Sequence, residues 1–167
     1  MEEYLAANRL LARHGMKTKY SIMLGFPEET MEDVIASVNI ALRVLDENPF
    51  ASFNPFYVFQ PYPGTRLATQ YKVKGYDGLE QWGSFGRHNL ETPFVGGRRG
   101  IFDNIMFSSK YVGRLFPNMF PDDPEVARFA EELKAKWRAA DFDSPAWKEL
   151  RSRHQTIITR LFGANAY

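Results

Sequence analysis

Two extended apolar stretches, residues 17–25 and 51–60, flank a segment whose apolar residues recur at helical spacing, and this order constrains the fold of the 167-residue chain most. In the first stretch Tyr20, Ile22 and Leu24 form one apolar face, while Lys19, Ser21, Met23 and Gly25 form a smaller, more polar one. Faces of such different character suit a strand covered by helices on one side and lining a cavity on the other. Thr30 then opens a helix, with Asp33 at capping-box spacing, and Val34, Val38, Ala41, Leu42 and Leu45 carry its apolar stripe to about Glu47. In the second stretch Phe53, Tyr57 and Phe59 are expected to oppose Ser52, Asn54, Phe56, Val58 and Gln60. Pro55 cannot donate a ladder hydrogen bond and so marks a sheet edge or a bulge. A further helix, carrying Leu5, Leu10 and Leu11, precedes the first strand and ends at His14-Gly15, where glycine suits a C-terminal cap. Helix, strand, helix, strand is the order of parallel α/β architecture. The two strands are expected side by side, joined by a right-handed crossover, with ligands beyond their carboxyl ends.

The remainder reads differently. Residues 74–100 hold seven of the chain's 12 glycines, interleaved with Tyr76, Trp82, Phe85 and Phe94, the pattern of a long irregular aromatic loop. A short helix is expected from Arg66 to Tyr71, and three more follow the loop. Phe102, Ile105, Met106, Val112, Leu115 and Phe116 define the first. Asp123-Pro124 opens the second, with Val126, Phe129, Ala130, Leu133 and Trp137, and Ser144-Pro145 opens the third, with Trp147, Leu150, Ile157, Ile158 and Leu161. The chain thus divides into an α/β portion, residues 1–75, and a loop with a helical extension, residues 76–167.

Composition excludes several classes of function. Lysine and arginine total 21 against 20 acids, so a net charge of +1 gives no electrostatic reason to expect nucleic acid or an anionic membrane as partner. No stretch approaches the ~20 apolar residues of a membrane span, and Met1-Glu2-Glu3 is acidic where a signal peptide would be basic, so a cytoplasmic location is expected. With no cysteine, disulfides, thiolate metal sites and thiol catalysis are outside this chain's own chemistry.

Candidate functional residues cluster where the first strand meets the Thr30 helix. Gly25-Phe26-Pro27 makes a corner followed by Glu28 and Glu29. Gly25 permits close backbone approach, and Met23 offers a flexible apolar surface. The acids have a simple structural account, because carboxylates near a helix start favour its dipole. His14, His88 and His154 lack metal-ligand spacing, with His88 placed in the aromatic loop. The run from Gly96 to Gly100, including Arg98 and Arg99, reads as a solvated loop without the strand-to-helix frame of a phosphate loop. The apolar stripe from Phe102 to Phe120 reads as core.

The segment SIMLGFPEETMEDV (21–34), followed at about 30 residues by FYVFQPYPGTRL (56–67), resembles the fifth and sixth strands of radical S-adenosylmethionine enzymes, especially the cobalamin-binding subgroup. The resemblance covers Leu5 to about Lys74. It implies the carboxyl-terminal part of a partial (β/α)6 TIM-like barrel with two parallel strands. It also implies that Ser21, Met23, Gly25, Phe26, Pro27, Glu28, Glu29 and Gln60 border the cavity for S-adenosylmethionine and substrate, with Glu28 and Glu29 competing for the family's acidic position. Ser21 stands where the family has glycine and Met23 where it has isoleucine. The family's cofactors are S-adenosylmethionine and a [4Fe-4S] cluster, with cobalamin in the subgroup. The cluster is held by three cysteines spaced C-x3-C-x2-C, which this chain lacks.

The resemblance therefore implies a piece of a radical enzyme of methyltransferase or cyclase type, inactive alone. Its partner would be a missing amino-terminal portion or a separately encoded equivalent. A noncatalytic interaction module that keeps the half-barrel shape is the alternative. In a truncated barrel the edge of residues 17–25 is expected to lack a neighbouring strand and to promote self-association, whereas a clean monomer would favour the module; Ser21, Met23, Val58 and Gln60 are expected to share the face that lines the lumen of the complete enzyme.

Overall fold

The computed structural model describes residues 2–59, 65–70 and 96–163. Gln60, the aromatic segment at 71–95 and His88 lie outside them. The described chain is mixed α/β and mostly helical, with two small parallel two-stranded sheets. Helix α1 (Glu2–Arg13) ends as its glycine foretells. Gly15 is left-handed at φ 63°, and the N–H groups of Gly15 and Met16 return to the carbonyls of Ala12 and Leu11, the two bonds that close such a helix end. Strands β1 (Thr18–Tyr20) and β2 (Met23–Leu24) follow. Helix α2 (Met31–Glu47) opens on the expected capping box. The Asp33 N–H donates to the Thr30 hydroxyl and the Thr30 N–H donates to the Asp33 carboxylate. Val34, Val38, Ala41, Leu42, Val44 and Leu45 are buried on its inner face.

Strands β3 (Ala51–Phe53) and β4 (Tyr57–Val58) run parallel to β1 and β2, as the strand-helix-strand order requires. Each extended stretch is broken once, and the breaks are unequal. Tyr20 pairs with Phe53 and Met23 with Tyr57, so the three residues Asn54-Pro55-Phe56 face the two residues Ser21-Ile22. Pro55 thus sits in a bulge, and the extra residue reverses side-chain parity beyond it. Val58 pairs with Leu24 on the inner face, whereas Tyr57 sits beside Met23 on the outer one. The expected lumenal set of Ser21, Met23 and Val58 is corrected accordingly: Tyr57, not Val58, joins Ser21 and Met23. Phe56, expected on the outer face, is buried against Trp137 at 5.2 Å between ring centroids.

The outer edge of this strand pair is closed by helix α4 (Arg99–Val112). The Phe56 N–H donates to the Ser109 hydroxyl at 2.8 Å, and the Phe53 N–H to the Gly113 carbonyl at 2.8 Å. Close approach explains the glycine, since a Cβ there would lie 2.9 Å from Phe53 Cβ and 2.5 Å from the Ser109 carbonyl. The opposite edge, at β1, has no paired strand among the described residues. Thr18 and Tyr20 turn their main-chain groups toward β3, which directs those of Lys19 to that open side.

Short helix α3 (Arg66–Gln70) lies where expected. The apolar stripe that predicted one helix through Phe116 is divided into α4 and α5 (Leu115–Met119), because Arg114 is left-handed at φ 64° and ends the first. Arg114 then reaches back to the end of α2. Its guanidinium donates to the carbonyls of Leu45, Asn48, Pro49 and Ala51 at 2.8 to 3.0 Å. Helix α6 (Pro124–Arg138) starts on an Asp123 cap with proline at its first position, as its sequence indicates, and α7 (Ala146–Phe162) follows. Asn8 and Asn48, both fully buried, complete the joint between α1, α2 and β1. The Asn8 amide donates to the Val44 carbonyl at 3.1 Å, and its oxygen accepts from Tyr20 Oη and Asn48 Nδ2.

His154, on α7, is half-buried. Its ring stacks on Phe107 with centroids 4.9 Å apart, and Nδ1 lies 3.0 Å from the Tyr111 hydroxyl. Burial, reinforced by the nearby Lys110 charge, lowers its pKa from 6.5 to about 4. The unfolded chain therefore binds a proton that the folded chain refuses. His154 is expected to cost no stability above pH 6.5 and up to about 1–2 kcal/mol as pH falls toward 4, after allowance for partial solvent screening. Urea unfolding at pH 7.5 and pH 4.5 should show a loss that shrinks in His154→Gln; an equal loss in both proteins would assign the acid sensitivity elsewhere.

Candidate functional site

The corner at the carboxyl end of β2 is built by two left-handed residues. Gly25 is at φ 79°, which costs glycine little, and Glu28 is at φ 68°, which a side chain adopts only when its surroundings hold it there. Glu29 supplies much of that hold. Its N–H donates to the Phe26 carbonyl at 3.1 Å, and its carboxylate accepts the Gly25 N–H across the turn. Its carbonyl accepts from Arg98 Nη1 at 3.0 Å. Arg98 also lies 5.7 Å from the centroid of Phe102. Thr30 follows as the cap of α2, and its hydroxyl and N–H hold the Asp33 carboxyl below the usual carboxylate range. Glu29 is thereby committed to the turn through main chain and side chain alike.

Below the corner lies the outer face of the strand pair. Lys19, Ser21 and Met23 alternate along one strand, with Ser52, Asn54 and Tyr57 along its neighbour. The Asn54 amide donates to Ser21 Oγ at 2.8 Å, giving this face a polar pair near the amino end. Met23 and Tyr57, 47% and 48% exposed, are apolar neighbours nearer the corner. Phe26, 38% exposed, stacks on Phe59 at 4.6 Å with 22° between the rings. A planar ligand with an apolar face and a polar edge fits this order of groups. The flat apolar surface sits next to a glycine that lets the ligand approach main chain.

Of the residues anticipated from sequence, Ser21 and Met23 lie on this face, Gly25, Phe26, Pro27, Glu28 and Glu29 make the corner beyond it, and Gln60 is outside the described residues. Tyr57 and Asn54 were missed as site residues. Pro55 was the available signal, because a bulge moves Tyr57 outward. Arg98 was also missed, since Gly96 to Gly100 reads as loop. It forms instead a short 3-10 turn, Gly96–Arg98, running directly into α4. Of the two acids, Glu29 has its carboxylate on the Gly25 N–H.

The implied cofactors fit unequally. Met23 and Tyr57 present an exposed pair beside the corner, whereas a [4Fe-4S] cluster does not fit this chain, which has no thiolate to hold iron. Among the described residues no group of three histidine, aspartate or glutamate side chains is placed to hold a metal ion. No helix is long and apolar enough to cross a membrane among the described residues. No protein-family model, curated protein or solved structure matches the chain.

Proposed function

We propose that this chain is the carboxyl-terminal part of a radical S-adenosylmethionine enzyme, supplying strands five and six of a partial (β/α)6 barrel and one wall of the cavity for S-adenosylmethionine and substrate. The observation that carries this reading is the asymmetry of the strand pair. One edge is closed by α4 while the other, at Lys19, has no paired strand among the described residues, and the face between them presents Ser21, Met23 and Tyr57. The last strands of a partial barrel need that arrangement, with neighbours on one side only.

In this reading the cluster and any cobalamin would belong to another portion, which would carry the cysteines that this chain lacks. This chain's residues bind and orient. Met23 and Tyr57 offer an apolar surface to the adenine, Gly25 lets the ligand reach main-chain groups, and the Ser21-Asn54 pair offers hydrogen-bonding groups beside it. Alone, the chain neither assembles the cluster nor cleaves S-adenosylmethionine.

Met23→Asp places a charge where the ring needs an apolar surface, and should weaken S-adenosylmethionine binding at least about tenfold in a complete enzyme carrying this segment. Cluster assembly, followed by absorbance, should be unchanged because no cluster ligand lies here. Calorimetric titration that finds equal affinity in a folded Met23→Asp variant would reduce the corner to a structural turn. Reading the encoding locus upstream of Met1 gives an independent check, since an in-frame C-x3-C-x2-C motif supports the enzyme.

The exposure of Met23, Phe26 and Tyr57 beside an open strand edge favours a second reading, a noncatalytic module that associates through this face. Size-exclusion chromatography distinguishes the two when the amino-terminal portion is added. A heterodimer that forms with the cysteine-bearing portion supports the enzyme, whereas a stable homodimer indifferent to that portion supports the module.

A further inference from the structure

The corner at Gly25 to Thr30 contains a left-handed glutamate, and three hydrogen bonds to Glu29 oppose its relaxation. Two of them are local, within five residues of chain. The third comes from Arg98, 69 positions away, whose guanidinium bonds the Glu29 carbonyl while lying against the Phe102 ring one turn into α4. We propose that Arg98 is a positioning residue for the ligand-facing corner, transmitting the placement of α4 to the backbone of Gly25 to Thr30.

The chemistry suits arginine in particular. A planar guanidinium can lie against an aromatic ring and donate in its own plane at the same time, so the ring fixes the direction of the donated bond. Lysine keeps the charge and a donor but loses the plane. Without the bond, the turn loses one of the contacts that hold it, and Glu28 relaxes more readily out of the left-handed region. The same bond fixes the carbonyl immediately before Thr30, so α2 and α4 begin at one end of the strand pair and the start of α4 borders the candidate site.

The effect on the corner's shape stands independently, whereas its effect on binding rests on the function proposed above. Both can be read by NMR on the 167-residue chain as wild type, Arg98→Ala and Arg98→Lys. Amide hydrogen exchange at Gly25 and Glu29 should accelerate at least about tenfold in Arg98→Ala, while Tyr57, whose N–H donates to the Ile22 carbonyl between the strands, stays within about twofold. Arg98→Lys should recover part of the loss. Unchanged exchange at Gly25 and Glu29, or an equal acceleration at Tyr57, would overturn the positioning role.

Millimolar S-adenosylmethionine is then added to each protein. Shifts at Met23 and Gly25 in the wild type that weaken in Arg98→Ala support the role at the binding site, and shifts of equal size in both overturn it there. No shift in the wild type counts against the proposed ligand and leaves the exchange result standing.

Discussion

Trp137→Ala is expected to destabilise the protein by about 3–5 kcal/mol, the range for deleting a fully buried tryptophan. Trp137 is 1% exposed and touches both portions of the chain. Its ring meets Phe56, the last residue of the bulge, and Phe142, ahead of α7. Its indole Nε1–H donates to Ser108 Oγ at 2.8 Å, and that hydroxyl in turn donates to carbonyls of α4. Alanine removes the ring and leaves a cavity between the strand pair and two helices. Trp137→Phe should restore most of the packing and lose only the hydrogen bond, about 1 kcal/mol. Chemical denaturation of the three proteins checks both figures. A Trp137→Ala loss below about 2 kcal/mol would mean that the surrounding elements collapse into the space, so that the strands are held mainly by α1 and α2.

Arg114→Ala is the second large effect, at about 3 kcal/mol. One guanidinium satisfies carbonyls at the end of α2, in the following turn and in β3, and hydrogen bonds from a charged donor contribute about 1.5–3 kcal/mol where their acceptors are withdrawn from water. Alanine inherits the left-handed backbone without the compensating bonds. Arg114→Gly loses the same bonds but accepts φ 64° freely, and should be less destabilised than Arg114→Ala by about 1 kcal/mol. Equal stability of the two variants would show that the backbone relaxes, and a loss under 1 kcal/mol in both would show that water replaces the guanidinium.

Local chemistry made much of the fold legible. The Thr30–Asp33 capping box, the glycine closing α1, and the Asp123-Pro124 start of α6 depend on residues within one turn of each other, and all are where the sequence places them. The parallel pairing was legible from element order. Pro55 announced a break but not its kind, and only the pairing partners show that parity reverses beyond it, which is why Tyr57 and Val58 were placed on the wrong faces. The division of α4 from α5 was hidden because apolar spacing continues through Gly113-Arg114, while the left-handed arginine is stabilised by carbonyls more than sixty residues away. At the candidate site the corner was legible as a local turn. The contribution of Arg98 was not, since no short-range pattern links it to Glu29.

The bulge at Asn54-Pro55-Phe56 acts as a phase slip in the side-chain pattern. The same residues paired without the slip, with Pro55 kept and set opposite Ile22, would make a neater strand with unbroken alternation from Ala51 to Val58. It would turn everything downstream by half a period, carrying the phenol of Tyr57 into the packed interior beside Leu24 and Phe56 into the place beside Met23. The Ser109 hydroxyl, now meeting the Phe56 amide, would face a different register. An irregularity of one residue thus decides which chemical groups the strand shows to a ligand, and pairing the same residues smoothly would set a phenyl ring where the phenol of Tyr57 now stands.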